Sequence, residues 1–444
     1  MTAKVSYLVF QKRRRAVFEQ MPHNSVAFLY SGQTIIKSED QAYPFTPNHY
    51  FYYLTGLVES NAIAVLVKQH DGSQRFILLL VPNDPKTAQW EGDRLGLEQA
   101  KQQLGADEAY PVSDFKDYLP HWITGCSHVY TLWPMPDHLH TDFNETLVKL
   151  KNGSRAGWQQ PSSLSNLAHI IDEMRLIKDE VEIEYTREAV QASVNGHLAI
   201  MQTCAPGIAE YQLRAKFMQS ILWHGCQEEA YPSIVAAGGN ACILHYDACQ
   251  EVAENGNLVL IDAGGRYQHY CADITRTLPV NGQFNAEQRA VYELVLSVQQ
   301  QVIEAVKPGA VWYDLHQLSV RLIVEGLVDL GLLQGDVQQL IEQESHKQFY
   351  MHYIGHWLGL DTHDVGRYKF GDEWRKLEPG MLLTIEPGVY IRPDQTVDEK
   401  WWHIGVRIED NILVTAQGCE VLSADLPKQP DDIEKLIQDY QYVS

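Results

Sequence analysis

Short apolar runs alternate with amphipathic segments through the first part of the chain. Ser25–Tyr30, SVAFLY, has the composition of a buried strand and ends at a Ser-Gly turn. A helical pattern over 13–21 precedes it and is closed by Pro22. This alternation predicts an α/β domain over roughly the first 170 residues. Further strands are predicted at 62–67, 76–81 and 129–133, and a further helix at 97–104.

A polar segment at 151–167, rich in Gly, Ser, Pro and Gln, is the candidate linker to a second domain. We therefore predict domains over residues 1–172 and 173–444. After the linker, apolar residues at helical spacing predict one long helix that Pro206 and Gly207 end. Helices packed on one face of a mixed sheet would make this second domain an α+β fold. Later helices are predicted at 210–223, 286–306 and 312–330, and the remaining apolar runs as strands.

The charge balance argues against a polyanionic partner. The chain has 35 Lys and Arg against 57 Asp and Glu, a formal net charge of -22 that would repel nucleic acid. Its 7 cysteines are scattered without a C-x-x-C pair, which predicts a reducing compartment and no zinc-thiolate site. The N-terminal segment lacks a signal-type apolar core, and no run reaches the roughly 18 apolar residues of a membrane span. We therefore predict a soluble, cytoplasmic protein with no membrane or nucleic-acid partner.

Two carboxylates close strand-like runs of the second domain. Asp262 ends the apolar run 258–261, and Glu386 ends Leu382–Ile385. A carboxylate in this position is costly to bury unless it is paired or bound to a metal. For Asp262 the alternative is a cap on a turn at the glycine pair that follows it.

Asp273 and Glu409 lie in strand-like segments that also carry an arginine. Ion pairs of Asp273 with Arg276 and of Glu409 with Arg407 are the alternatives to a functional role. If the chain reverses near Gln268, the carboxylates at 262 and 273 fall opposite one another on neighbouring strands. The two glycines after position 262 would then form a bulge or a kink, whereas a turn at the glycines would separate the carboxylates.

Three histidines fall in one Gly-punctuated run, HYIGHWLGLDTHD. His352 and His356 have the spacing of a helix face, but Gly355 and Gly359 favour a loop. A single histidine is more often only hydrogen-bonded than a ligand, and the density of His and Gly here shifts the balance towards a site. His363, at the end of the run, could be a further ligand or a neutral donor to a carbonyl oxygen.

One histidine and four carboxylates make a hard, oxygen-rich donor set. Such a set suits Mn²⁺, with Zn²⁺, Co²⁺ or Fe²⁺ as alternatives. Four carboxylates exceed what one octahedral ion needs, so two ions that share bridging carboxylates are predicted. Centres of this kind activate a water and polarise a carbonyl group. The candidate ligands are the carboxylates Asp262, Asp273, Glu386 and Glu409 and a histidine of the run that holds His352, His356 and His363.

These residues lie in four motifs that in combination are highly specific. The motifs are VLIDAGGRYQHYCADITRT, HYIGHWLGLDTHDVG, LEPGMLLTIEPGVYI and GVRIEDNILVT, and RLIKDEVEIEYTREA precedes them. They resemble those of the pita-bread dinuclear metallopeptidases, and nearly the whole chain resembles the Xaa-Pro aminopeptidases (aminopeptidase P) among them. The resemblance implies a creatinase-like N-terminal domain followed by a pita-bread catalytic domain.

The resemblance also implies an activity and residue roles. Two Mn²⁺ per subunit would be bound by Asp262, Asp273, His356, Glu386 and Glu409, with Asp273 and Glu409 bridging. A metal-bridged hydroxide would attack the Xaa-Pro bond and release the N-terminal residue from peptides with proline second. The protein would be a homo-oligomer, a dimer or a tetramer. By resemblance, catalytic roles fall on His245, His363 and the proton-carrying Glu386, and substrate-binding roles on His352, Arg407 and Trp90.

Two other functions are consistent with parts of this pattern. Prolidase uses the same ligands on dipeptides only, and a metal-free pita-bread protein would bind peptides without cleaving them. The second is disfavoured because all five ligand positions match. For Trp90, in QWEGDRLG, the alternative is a half-buried packing residue.

Overall fold

A six-stranded mixed sheet organises the first of two units, Met1–Asp172. The structure is a computed structural model that describes residues 7–393 and 396–441. Among the described residues of this unit, the helices are α1 (Leu8–Gln20), α2 (His49–Thr55), α3 (Pro85–Glu91), α4 (Leu97–Leu104), α5 (Phe115–Ile123) and α6 (Asp137–Asn152). The strands are β1 (Ser25–Tyr30), β2 (Ile36–Ser38), β3 (Gln41–Ala42), β4 (Ile63–Lys68), β5 (Gln74–Leu80), β6 (Glu108–Pro111), β7 (His128–Thr131) and β8 (Ser163–Asn166).

The sheet has the strand order β6-β5-β4-β1-β7-β8. Strand β1 is antiparallel to β4 and parallel to β7. Its buried Phe28 packs edge-on against Phe115 of α5 and Phe143 of α6, so one face of the sheet is covered by these helices. Strands and helices therefore alternate around a mixed sheet, as the apolar runs predict.

The predicted linker at 151–167 is wrong. Its first residues end α6, and Ser163–Asn166 forms β8, which pairs in parallel with β7 at the edge of the sheet. Edge strands are often short and polar, which discourages their unpaired backbone groups from pairing with another chain. The polar composition that resembles a linker is therefore that of an edge strand and the turn before it.

The second unit, Glu173–Ser444, contains several small sheets. Helix α7 (Ala168–Leu176) begins before this unit. The helices that follow are α8 (Glu180–Thr203), α9 (Glu210–Trp223), α10 (Ala286–Ala305), α11 (Trp312–Asp329), α12 (Val337–Glu342) and α13 (Pro430–Gln441). The strands are β9 (Glu228–Glu229), β10 (Ile234–Ala237), β11 (Leu258–Asp262), β12 (Gly265–Tyr267), β13 (Tyr270–Cys271), β14 (Thr275–Pro279), β15 (Lys369–Phe370), β16 (Glu373–Trp374), β17 (Leu382–Ile385), β18 (Gly388–Ile391), β19 (Ile404–Arg407), β20 (Asp410–Val414) and β21 (Cys419–Val421).

The long helix predicted at the start of this unit is two helices. Asp179 caps α8 through its side chain, and Glu182 completes the capping box. Just before the cap, the amide of Lys178 donates to the carbonyl of Gly380 at 2.9 Å, so the backbone leaves the helical path. The break before α8 has a clear signal in hindsight, because D-x-x-E is a helix start. Helices α12 and α13 were also missed, since the remaining apolar runs were predicted as strands.

Candidate metal centre and active-site cavity

A β-hairpin brings two of the predicted ligands together. Strands β11 and β14 are antiparallel with Asp262 opposite Thr275, and β12 and β13 continue the same register. The chain reverses at Gln268 and His269, both with left-handed φ (47° and 69°), so the predicted turn is confirmed and a turn at the glycines is wrong. In this register Asp273 lies diagonally across from Asp262 rather than directly opposite it.

Gly264 permits the close approach of the two hairpin strands. A Cβ atom at this position would lie 1.8 Å from the carbonyl oxygen of Ala272, so any other residue would push the strands apart. The backbone of Asp273 is held from the other side, where its amide donates to Asn411 Oδ1 at 3.1 Å. The separation of the two aspartates is therefore fixed by backbone contacts.

Tyr231 connects the same two aspartates. Its hydroxyl lies 2.6 Å from Asp262 Oδ1 and 2.5 Å from Asp273 Oδ1. One hydroxyl carries one proton, so it can donate to only one of two ionised carboxylates at a time. The arrangement therefore suits a cation beside the carboxylates, which supplies the missing positive charge. Burial and the neighbouring acids raise the pKa of Tyr231 well above its usual value, so the phenol is neutral.

Glu409 lies between β19 and β20 and is 1% exposed. Its amide donates to the carbonyl of Thr275, and its carboxylate accepts from the Thr275 hydroxyl at 2.8 Å. The surface ion pair with Arg407 is wrong, because Arg407 pairs with Asp262 at 2.6 Å. Likewise, Arg276 pairs with Asp410 and not with Asp273.

His356 and Glu386 are brought together by backbone pairing of the segment 354–358 with β17. The amide of Thr384 donates to the carbonyl of His356 at 2.9 Å, and that of Glu386 to Ile354 at 2.7 Å. Gly355 makes this possible, since a Cβ there would lie 1.9 Å from the carbonyl oxygen of Thr384. The histidine run is a loop and not a helix, as its glycines predict.

The imidazole of His356 is oriented as a ligand would be. Its Nδ1 lies 2.9 Å from the carbonyl oxygen of Trp357, which can only accept, so Nδ1 carries the proton. The lone pair of Nε2 then points towards the carboxylates, 3.3 Å from Asp273 Oδ2 and 3.6 Å from Glu386 Oε1. A hydrogen bond from the other ring nitrogen to a carbonyl oxygen fixes the tautomer of metal-bound histidines in the same way.

The carboxylates of Asp273, Glu386 and Glu409 are buried close together and repel one another. Burial, followed by the charge of Asp262, raises the pKa of Asp273 well above its usual value. Burial, and after it the charge of Asp273, raises the pKa of Glu409 well above its usual value. Burial, and after it the charge of Glu409, raises the pKa of Glu386 to about 8. A divalent cation would remove this repulsion and favour the ionised forms. Candidate ligand atoms of Asp273, His356 and Glu409 lie within 4.8 Å of one another.

The five candidate metal ligands line one cavity of about 1080 Å³, and the candidate catalytic and substrate-binding residues other than Trp90 line it as well. Trp90 is not among its lining residues. It lies on α3 of the first unit and is 89% exposed, so it is not packed within that unit. Besides the five donors and Tyr231, the cavity is lined by His245, His352, His363, Arg407, Leu244, Trp312, Tyr353, Tyr368 and Trp374, among others.

A chain of hydrogen bonds orients His352. Arg407 donates to Asp262 and, at 2.8 Å, to the hydroxyl of Tyr390. That hydroxyl lies 2.9 Å from His352 Nε2, while His352 Nδ1 faces the carbonyl oxygen of Tyr353 at 2.8 Å. Because a carbonyl only accepts, Nδ1 is the donor and Nε2 accepts from Tyr390. Burial and the charge of Arg407 lower the pKa of His352 to about 3, so the ring is neutral.

His363 is held beside His356 by a buried ion-pair network. The two rings are 4.3 Å apart in a T-shaped arrangement. The next residue, Asp364, accepts from Arg175 at 2.6 Å and from Lys178 at 2.9 Å, with all three side chains buried. Burial and the neighbouring His356 lower the pKa of His363, which favours a neutral ring with an N–H to donate.

Sequence reasoning missed the neutral and supporting members of the site. Tyr231 and Thr275 contact predicted metal ligands through their hydroxyl groups, and Tyr390 contacts Arg407 and His352. Tyrosine and threonine are common in and beside the strands of any sheet, so the pattern alone does not distinguish these three. The buried pair Arg175 and Lys178 had a weak signal, two cations directly before a helix start.

The fold and the site define a metallohydrolase class. A carboxylate-rich centre with a single histidine, set in an α+β unit beside neutral hydrogen-bond donors, is the arrangement of a metal-dependent hydrolase. Residues 184–416 match metallopeptidase family M24, and residues 10–130 match the aminopeptidase P N-terminal domain.

Full-length relatives agree with both matches. The chain is 43% identical to the Xaa-Pro aminopeptidase of Haemophilus influenzae over 98% of each chain. It is similar to the structure of Pseudomonas aeruginosa aminopeptidase PepP, with a TM-score of 0.96, 41% identity and 99% of each chain covered. It is also similar to Escherichia coli aminopeptidase P with the inhibitor Pro-Leu, with a TM-score of 0.96 and 39% identity over 99% of this chain and 100% of that one.

This chain belongs to the aminopeptidase P family of M24 metallopeptidases, which are hydrolases. The predicted fold class, an α/β N-terminal domain followed by a pita-bread catalytic domain, is thereby confirmed.

Proposed function

We propose that this chain is a metal-dependent Xaa-Pro aminopeptidase, which releases the N-terminal residue from peptides with proline in the second position. The observation that carries the proposal is the convergence of five donor residues with neutral histidines on one cavity. Identity of 40–43% to Xaa-Pro aminopeptidases over the full length supports this function over that of a prolidase. The first unit, 1–172, is assigned as the creatinase-like domain, and 173–444 as the catalytic domain.

Asp262, Asp273, His356, Glu386 and Glu409 would hold two metal ions, and Asp273 and Glu409 would be the carboxylates shared by both. The mutual repulsion of the buried carboxylates and the orientation of His356 Nε2 support this assignment. Mn²⁺ is proposed as the native metal because the set is rich in oxygen. When bound, the ions would polarise the scissile carbonyl group and lower the pKa of a water.

The histidines and Glu386 are assigned to substrate and proton handling. His363 and His245, which both line the cavity, donate hydrogen bonds to the oxygen of the scissile carbonyl as negative charge develops there. Glu386, with its Oε1 3.6 Å from His356 and its side chain 18% exposed, carries a proton to the nitrogen of the departing proline.

The proline pocket is assigned to His352 and Arg407. Both side chains are fixed by the hydroxyl of Tyr390, so they present a rigid wall to the cavity. A rigid wall favours proline, whose ring loses little conformational freedom on binding.

A series of peptides tests the substrate class. We expect hydrolysis of Xaa-Pro-Xaa and longer peptides with release of the first residue only, because a cavity of about 1080 Å³ has room for residues beyond proline. The E. coli relative bound to Pro-Leu supports this extension. Release of the first residue is followed by amino-acid analysis, with Xaa-Ala-Xaa as the matched control.

Cleavage of Xaa-Pro dipeptides alone would assign the chain to the prolidases. Equal cleavage of the alanine series would remove the role given to the proline pocket.

Three further assignments complete the proposal. The protein acts in the cytoplasm as a homo-oligomer, a dimer or a tetramer. Trp90, exposed on α3, contacts substrate residues beyond proline.

Within 7–393 and 396–441, the helices are too short or too polar to cross a bilayer.

A further inference from the structure

Glu210, the first residue of α9, is fully buried and accepts hydrogen bonds from four donors. All four belong to the segment 237–251, which we call the His245 loop. Glu210 Oε1 accepts from the amide of Ala237 at 2.8 Å and from Asn240 Nδ2 at 3.1 Å. Its Oε2 accepts from the hydroxyl of Tyr246 at 2.8 Å and from the amide of Glu251 at 2.9 Å. One carboxylate therefore ties together both ends and the middle of the loop.

No ion pair to Glu210 is found in the described parts of the chain. A buried carboxylate without a cation is costly, and here neutral donors alone offset the cost. An apolar side chain of the same size would leave these four donors without an acceptor. The carboxylate of Glu210 therefore holds the His245 loop in this shape.

His245 depends on this loop for its position. Its imidazole lines the cavity, is largely exposed and makes no hydrogen bond to any residue that the structure describes. The next residue, Tyr246, packs in a buried cluster with Tyr390 and Leu260, and its hydroxyl donates to Glu210. Because no hydrogen bond from a described residue orients the ring of His245, the backbone of the loop determines where the ring lies.

We propose that Glu210 is a positioning residue for His245 in the hydrolysis of Xaa-Pro bonds. The inference rests on the proposed function, in which His245 donates to the scissile carbonyl oxygen. By holding the His245 loop at four points, Glu210 keeps the imidazole within reach of that oxygen while the metal ligands stay in place.

The test is a double-mutant cycle of Glu210→Gln with His245→Ala, measured on Xaa-Pro-Xaa. A glutamine keeps the size of the side chain, but its NH₂ group cannot accept, so part of the four-donor set loses its acceptor. We expect kcat to fall by up to about 10²-fold, the cost of a misplaced catalytic group, with KM and metal content little changed. In the His245→Ala background the same substitution should lower kcat by less than about threefold, because the group it positions is absent.

Glu182→Gln is the matched control. Glu182 is also buried in the first turn of a long helix, where it caps α8. Any effect of this substitution on kcat should be the same with and without His245. If Glu210→Gln does not fold, Tyr246→Phe replaces it in the cycle, since it removes one of the four donors and should give a smaller effect that His245→Ala again abolishes.

Equal fold-changes for the Glu210 or Tyr246 variant in both backgrounds would overturn the inference while leaving the proposed function intact. Absence of Xaa-Pro cleavage in the wild-type protein would overturn the proposed function itself.

Discussion

Asp273→Asn and Glu409→Gln are each expected to lower kcat/KM on an Xaa-Pro-Xaa peptide by roughly 10³-fold or more. Both side chains are buried between the other donors, and the amide keeps their size while it removes the negative charge. A carboxylate shared by two ions cannot be replaced by an amide without weakening at least one site, and a bound ion stabilises the transition state by several kcal/mol. Elemental analysis of the purified variants should therefore show fewer than two ions per chain.

Asp361→Asn is the matched control for these substitutions. Its carboxylate lies in the histidine loop, is 41% exposed and pairs with Arg175 instead of facing the donor set. This variant should retain the metal content of the wild-type protein. Two ions per chain with normal turnover in Asp273→Asn or Glu409→Gln would refute the bridging assignment.

His363→Ala is expected to keep both ions and to lose about 3–4 kcal/mol of transition-state stabilisation, roughly 10²–10³-fold in kcat. The ring of His363 lies edge-on to that of His356, and its loop is anchored through Asp364, so His363 is held beside the candidate centre. A donor that acts on the developing oxyanion contributes to kcat more than to KM.

His356→Ala should instead lose metal, because its Nε2 faces Asp273 and Glu386. Metal analysis and steady-state kinetics on both variants distinguish the two roles. If His363→Ala is purified with one ion while His356→Ala retains two, the two histidines have been assigned the wrong way round.

The candidate ligands could be found from the sequence because each is anomalous in its local pattern. Asp262 and Glu386 end apolar strands, where an ionised group is costly to bury. The midpoint between 262 and 273 also located the turn at Gln268 and His269, since antiparallel register is symmetric about a turn. The diagonal offset of Asp273 could not be predicted, because the turn is centred one residue beyond that midpoint and the register runs through the glycines without a bulge.

Other errors have a common physical cause, which is that polar residues were interpreted locally. The edge strand Ser163–Asn166 has the composition of a linker, and the break before α8 falls inside a continuous apolar period. The supporting contacts of the site, such as those of Tyr231 and Glu210, join segments far apart in the chain. Neither local propensity nor periodicity contains this information.

Reconstitution of the metal-free protein tests the central claim most directly. The protein is stripped with a chelator and titrated with Mn²⁺ while metal content and hydrolysis of Xaa-Pro-Xaa are measured on the same samples. We expect no cleavage without metal and full activity only as occupancy approaches two ions per chain. Full activity in the stripped protein, or a plateau at one ion per chain, would contradict it.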